Sequence, residues 1–314
     1  MSPESRSALK VQYDLRPAKQ VERRMLVDAF QRLIQAGFRI RDYRYVGFGS
    51  LHFIDFIIFH KLLGINDMLS IEYDQDLEKR VKYNSPFECI DIIIDSATNV
   101  IPTLSPDDKH ILWLDYDGPV AEDVINDVYL AGSQLSRGSI ILITVDVEPP
   151  VKDTPNLETT MEYFKKIAGR YLGIVSINDF AESKLYRISK KVIINALKEG
   201  MAGRRNIIFH PLFYFVYADG HSMMTVGGII GGNEEKLQLK SVNTQGAFYF
   251  RRNINQEPYE INVPIFTRRE RHLMDSAMPC SISWQPEEFT VRPEDINAYR
   301  EIYRFLPAYA ELLL

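Results

Sequence analysis

The chain has 314 residues, 46% of them hydrophobic, with 37 Lys and Arg against 42 Asp and Glu for a formal net charge of −5. That composition excludes a disordered or fibrous chain, and the length allows one large elaborated domain or two ordinary ones. Cys89 and Cys280 have no cysteine neighbour, against a disulfide scaffold or paired-cysteine zinc site, and no apolar run reaches the roughly 18 residues of a membrane span.

With no apolar signal core at its start, the chain is expected to be a soluble cytoplasmic protein with no membrane partner. Residues 1–40 hold eight Lys and Arg against four Asp and Glu, a basic segment on an acidic body. Pro17 suits the first position of a helix, and Val21, Met25, Ala29 and Leu33 recur every fourth residue, which predicts a helix over 17–36 stopped at Gly37. Arg16, Lys19 and Arg23 follow at i, i+3 and i+7 on another face. They read as a holder of an anionic group or, more plainly, as a solvated helix face.

A repeating strand and helix pattern begins at residue 42. Residues 43–48 are β-rich and end in Gly47-Phe48-Gly49-Ser50, and the apolar stretch 51–63 reads as a helix closed by Gly64. Residues 68–71 form a second buried strand with Glu72, Tyr73 and Asp74 at its end, and 75–83 a polar helix. A third strand, 89–94, ends at Asp95-Ser96. A fourth, 110–114, runs into Asp115-Tyr116-Asp117-Gly118-Pro119, and a helix over 121–135 leads to a fifth strand, 139–145. Five apolar strands interleaved with helices imply a parallel sheet covered on both faces, with its ligand beyond the C-terminal strand ends. Residues 206–217 and 221–230 then flank Ala218-Asp219-Gly220, a hairpin signal.

Gly47 and Gly49 remove side chains where backbone must pass close to a ligand. Glu72, 23 positions after Gly49, is placed to accept ribose hydroxyls, so the pair suggests an adenosine-containing cofactor. A nicotinamide fold would need a third glycine where His52 stands, and no phosphate-cradling G-x-x-x-x-G-K loop occurs. S-adenosylmethionine has no pyrophosphate and needs neither.

With those motifs in place, residues 42–147 and 206–232 resemble a class I S-adenosylmethionine-dependent methyltransferase core. The resemblance implies a Rossmann-like α/β sheet of five parallel strands plus an antiparallel C-terminal hairpin. To it are added an N-terminal helical segment (1–41), a helical insertion (148–205) acting as lid or homo-oligomer contact, and an α+β C-terminal extension (233–314). Within the extension 247–251 and 261–266 read as strands, Thr267 to Glu270 as a capping-box start to a helix, and 299–314 as an apolar terminal helix. It implies that Gly47, Phe48, Gly49 and Ser50 bind the methionine portion, Glu72 and Tyr73 the ribose end, and Asp95 and Ser96 the adenine. Asp115, Tyr116 and Asp117 would face the transferred methyl group as catalytic or orienting residues, with His52 and His221 as further candidate bases. The usual acid two before the first glycine is here Tyr45, and the usual third glycine is Leu51. Those departures leave room for a non-catalytic, regulatory module.

The fourth motif resembles that of small-molecule O-methyltransferases. Catechol-type relatives would nominate Asp115 and Asp146 as metal ligands, but their Asp-Asn pair would align with Thr144-Val145, so a divalent metal is not favoured. The expected acceptor is a small or nucleotide-like molecule methylated on O or N. The alternative is RNA or DNA, held by the basic segments around Arg16–Arg24, Arg204–Arg205 and Arg251–Arg252, the last lying in the basic aromatic run 248–252.

Overall fold

The computed structural model describes residues 16–151, 156–243 and 249–307. Helix α1 (Pro17–Gln35) starts at Pro17 as its spacing predicts, yet its own cap residue, Arg16, offers no side-chain acceptor. Asp219, in the loop of the distant hairpin, supplies the cap instead. Its two carboxylate oxygens accept the amides of Ala18 and Lys19 at 3.0 and 2.9 Å.

Next come β1 (Arg44–Gly47), α2 (Ile54–Leu63), β2 (Met68–Glu72), α3 (Glu78–Asn84), β3 (Ile90–Ile94) and the short α4 (Ala97–Val100). They are followed by β4 (His110–Pro119), α5 (Glu122–Gln134), β5 (Ile140–Asp146), α6 (Leu157–Ala168) and α7 (Leu185–Gly200). The hairpin is β6 (Ile208–Ala218) and β7 (Ser222–Gly231). Beyond it lie α8 (Asn233–Asn243), β8 (Tyr259–Ile261), α9 (Arg268–Ala277) and α10 (Pro293–Ile302).

All eight strands form one sheet in the order β3-β2-β1-β4-β5-β7-β6-β8. The pairs from β3 to β5 are parallel, whereas β7 is antiparallel to both β5 and β6. This is the Rossmann-like methyltransferase sheet. Alternation along the central strands sends residues to opposite faces. Tyr45, Ile111, Trp113, Ile140 and Leu142 join the core under α1 and α2, while Val46, Leu112, Leu114, Ile141 and Ile143 join the core under α5 and α7. Near-continuous Ile, Leu and Val in β4 and β5 follow from burial on both faces.

Helix α7, expected to belong to a lid or an oligomer contact, is part of this second core layer. Ile188, Val192, Ala196 and Leu197 are buried in it. The helix crosses α5 at Gly132 and Gly200, where a Cβ on Gly132 would lie 2.6 Å from the Leu197 carbonyl oxygen and one on Gly200 would collide with that of Tyr129. Gly132→Val should therefore force the helices apart and cost about 1–3 kcal/mol, read as a lower denaturant midpoint. An unchanged midpoint would mean the close crossing carries no stability.

The C-terminal extension departs from its expected elements. A strand over 261–266 does not form, because Pro264 has no amide hydrogen for a ladder; the strand is β8, parallel to β6. Of the strand expected over 247–251, Tyr249 and Phe250 lie in a turn, and 247–248 fall outside the described residues. The helix expected over 299–314 is α10, ending at Ile302, and 308–314 are likewise outside the described residues. The capping box that opens α9 forms in both directions, with Thr267 accepting the Glu270 amide and Glu270 that of Thr267. Among the described residues, no helix is long and apolar enough to cross a membrane.

Candidate functional site

The C-terminal ends of β1, β2 and β4 and the residues that follow β3 surround a cavity of about 580 Å³, within the size range of small-molecule and cofactor sites. Of the residues expected to bind the cofactor or face the methyl group, all but Gly47 line it. Gly47 stands one step back in β1, where a Cβ would meet the Tyr45 hydroxyl at 2.6 Å.

The turn after β1 is tight because side chains pack directly on its backbone. Gly49 donates its amide to Ser70 Oγ at 3.1 Å, and a Cβ there would strike that hydroxyl and the Phe53 ring. Ser50 and Phe53 both take left-handed backbone, with φ of 50° and 51°. These two residues delay the helix expected from residue 51 until Ile54, since neither can continue a right-handed turn. Ser50 Oγ is buried without a hydrogen-bond partner. Left-handed backbone and an unsatisfied hydroxyl thus stand together beside the cavity.

Glu72 accepts the Asp74 amide on Oε1 at 3.1 Å, and burial pushes its carboxyl above the ordinary value against that bond. Tyr73 is largely exposed beside it. Asp95 accepts from Asn99 Nδ2 and the Ser96 amide, both at 2.7 Å, and these bonds hold its carboxyl below the ordinary range. Ser96 in turn caps α4 through the Asn99 amide.

Strand β4 continues past Leu114 to Pro119, with an irregularity in its pairing to β5 between Asp115 and Pro119. Asp115, Tyr116 and Asp117 are thus strand residues, set on alternating sides. The Tyr116 hydroxyl donates to Asp127 Oδ2 at 2.7 Å, and its ring meets Phe48 edge-on at 5.3 Å between centroids. Asp127 also accepts Thr98 Oγ1 at 2.5 Å, and burial raises its carboxyl despite both bonds. Asp117 is exposed at the rim.

Beneath Asp115 lies the stripe expected as a solvated face of α1, and two of its three residues are buried. Lys19 and Arg23 are 1% and 3% exposed. Lys19 Nζ donates to Asp115 Oδ1 at 2.7 Å and to the Tyr217 hydroxyl at 3.1 Å, stands 3.0 Å from Glu22 Oε2, and lies 4.5 Å above the Trp113 ring. Burial opposes ionisation of Asp115, but Lys19, by charge and hydrogen bond and with help from Arg23 and Arg16, holds its carboxyl below the ordinary range. Arg23 Nε pairs with Asp55 Oδ1. Tyr45, in the place of the usual acid, is buried against Phe56 and Phe59 at 4.7 and 5.0 Å.

Asp115 therefore has a cation for a partner, not Asp146. Asp146 lies with Glu148 and His221, their ligand-type atoms within 4.8 Å of one another, and His221 Nδ1 is 2.9 Å from Glu148 Oε2. His52, exposed, lines the main cavity and His221 does not. Arg23, read from its spacing as a holder of an anionic group or part of a solvated face, lines it, and so do Asp55, Thr98 and Asp127, which had not been nominated. Only Asp127 left a sequence signal of its own: it falls between Val124, Val128 and Ala131 on the buried stripe of α5, where a carboxylate needs partners.

This cavity fits an adenosyl cofactor. It joins a glycine turn that admits close backbone approach, an orphaned serine hydroxyl and a half-buried glutamate one strand away. No curated protein matches the sequence. Solved structures that resemble the chain include a probable spermidine synthase from Corynebacterium glutamicum (11% identity, TM-score 0.44, covering 67% of this chain and 63% of that one). Trm1 from Pyrococcus horikoshii in complex with S-adenosyl-L-methionine follows at 13% identity and TM-score 0.43, covering 70% and 57%. Cofactor-bound Rv0187 from MTB resembles it at 14% and 0.40, covering 74% and 92%. A family model matches residues 11–314, so the chain belongs to the family described as "Putative O-methyltransferase" and is a class I S-adenosylmethionine-dependent methyltransferase.

Proposed function

We propose that the protein methylates a hydroxyl or amine of a small acceptor that carries no phosphate, bound at the Asp115–Asp117 end of the cavity. The observation that carries this reading is the charge of the lining. Eight carboxylates face the cavity against one arginine, Arg23, among the described residues. Such a field favours a sulfonium cofactor and a neutral or cationic acceptor, and repels phosphate.

Of the basic segments, Arg23 alone lines the cavity among the described residues. Arg204 donates to the Gly132 and Leu135 carbonyls, which precede β5 and so lie at the opposite end of the strand from the cavity. Phe250, from the basic aromatic run, is buried against Phe215, Tyr259 and Phe305 and has no face left for a base. These placements disfavour the RNA or DNA alternative.

When bound, S-adenosylmethionine supplies an electrophilic methyl group on a sulfonium. In this reading the backbone at Gly49 and Ser50 holds the methionine portion, Glu72 accepts the ribose hydroxyls, and Asp95 and Ser96 border the adenine. Phe48 and Tyr116 form an aromatic wall whose geometry Asp127 fixes through the Tyr116 hydroxyl. Asp115, kept ionised by Lys19, sets a negative field beside the methyl position. Asp117, exposed at the strand end, takes the acceptor proton. No step requires a metal.

The test is methyl transfer from labelled S-adenosylmethionine to small hydroxyl and amine acceptors, their phosphorylated counterparts, and RNA. Transfer to unphosphorylated small acceptors alone is expected. Transfer to RNA that falls steeply with added salt would contradict the reading.

A further inference from the structure

We propose that Glu22 lets the enzyme tell its charged methyl donor from its neutral product. Glu22 holds a proton while the cavity is empty or contains the product, and gives it up when the donor binds. The inference rests on the cofactor reading above and deepens it. S-adenosylmethionine carries a sulfonium where S-adenosylhomocysteine carries an uncharged thioether.

Glu22 is fully buried in α1, at 0% exposure, and neither of its carboxyl oxygens has a well-aligned hydrogen-bond partner. Lys19 Nζ stands 3.0 Å from Oε2 but directs its hydrogen bonds to Asp115 and to the Tyr217 hydroxyl. Two carboxyls thus share one ammonium, and Asp115 from β4 has the shorter contact, at 2.7 Å. Arg23, the next cation along α1, is engaged by Asp55 from α2, and Arg16 adds its charge at Asp115. Strands β6 and β7 face Glu22 with the hydroxyls of Tyr217 and Thr225. A carboxylate so enclosed and so poorly paired is costly, and the group keeps its proton instead. Burial accordingly pushes the Glu22 carboxyl above its ordinary value, against the pull of Lys19, while Asp115 is held below its own.

Asp115 lines the cavity. A sulfonium beside it competes with Lys19 for the same carboxylate and turns the ammonium's charge toward Glu22, one helical turn away. The Glu22 O–H bond then breaks, and the proton leaves to solvent. Methyl transfer leaves the S–CH₃ electron pair on sulfur and removes the positive charge, the acceptor proton goes to Asp117, and Glu22 takes a proton back from solvent. By linkage, rising pH tightens the donor and not the product.

The test is calorimetry of the full chain with each ligand in two buffers of different ionisation enthalpy, which counts the protons released on binding. S-adenosylmethionine should release more than S-adenosylhomocysteine. Raising the pH from about 5 to about 8 should shift the ratio of their dissociation constants toward the donor by about fivefold or more. The adenosine and amino-acid portions are common to both ligands, so the ratio isolates the sulfonium. Glu22→Gln copies the protonated carboxyl. It should abolish the pH dependence of the ratio and keep the denaturant midpoint near the parent's, whereas an ionised Glu22 paired with Lys19 would make the same change severely destabilising. Equal proton release with the two ligands, or a ratio in Glu22→Gln as pH-dependent as the parent's, would overturn the proposal. A Glu22→Gln midpoint lowered as far as that of a broken buried pair would overturn it as well. A parent that binds neither ligand would instead overturn the cofactor reading itself, and the Glu22→Gln midpoint would still report whether the resting residue holds a proton.

Discussion

Lys19→Met is expected to cost about 3–5 kcal/mol of folding stability, the usual consequence of removing one partner from a buried ion pair. Lys19 sits at 1% exposure between Asp115 and Glu22, donates to Tyr217, and lies over Trp113. Methionine fills the space of the stem and makes none of these contacts. Asp115 would remain in a low-dielectric site with its main counter-charge gone, and burial would then push its carboxyl above the ordinary range.

The pH dependence follows from the directions of the shifts. Asp115 is held below the ordinary value, so its contribution is present above about pH 4, the aspartate reference, and is lost as pH falls through its lowered folded value. Lys19 is raised despite desolvation, because Asp115 and Glu22 outweigh it. Its contribution is fully present below about pH 10, the lysine reference, and is lost only as pH rises through the raised folded value. The gap between parent and Lys19→Met should be widest between these limits and close on acidification, as Asp115 protonates in both. Urea unfolding at several pH values measures it. A gap of under about 1 kcal/mol at neutral pH would place this pair with weak surface bridges. Lys19→Met/Asp115→Asn should recover part of the loss, since the two residues act as one unit.

Asp117→Asn is expected to lower kcat by about 10²–10⁴, the range for loss of a general base, with little change in the dissociation constant of S-adenosylhomocysteine. Asp115 is poorly suited to act as the base. Lys19 occupies one of its oxygens and stabilises the ionised form, which lowers its affinity for a proton. Single-turnover rates with saturating cofactor separate chemistry from binding. Retention of more than about a tenth of the parent rate would remove Asp117 from the role of base.

The sheet and the cavity rim were legible in the sequence for a physical reason. Parallel strands buried on both faces must be written in Ile, Leu and Val, as in residues 140–143 and 111–114, and their C-terminal ends must turn polar where the ligand binds. The Asp219-Gly220 turn marked the hairpin by local backbone chemistry. Long-range pairing was not legible. Arg16, Lys19 and Arg23 have the spacing of a solvated stripe, and only the return of Asp115, Asp55 and Asp219 from distant positions buries and caps that face.

Local strain and extended pairing escaped for related reasons. Nothing in Ser50 or Phe53 announces left-handed backbone, since neither is glycine or asparagine, so the start of α2 was misplaced. Gly118-Pro119 has the look of a strand stop, yet Pro119 still aligns with Asp146 of β5 across an irregularity that lengthens β4. Tyr45 raised the question of a module without turnover. Its ring fills the core under α2 rather than the cavity, whose lining still holds eight carboxylates.

The central claim is that this one cavity seats the cofactor between the glycine turn and the end of β4. The most direct measurement is a crystal structure of the full chain with S-adenosylhomocysteine. The account predicts the adenine along Asp95 and Ser96, the ribose hydroxyls on Glu72, the methionine portion at Gly49 and Ser50, and the sulfur facing Asp115 and Asp117. A ligand bound elsewhere, such as the groove between Arg24, Arg32 and Arg304, or seated in this cavity with its ribose away from Glu72, would contradict it.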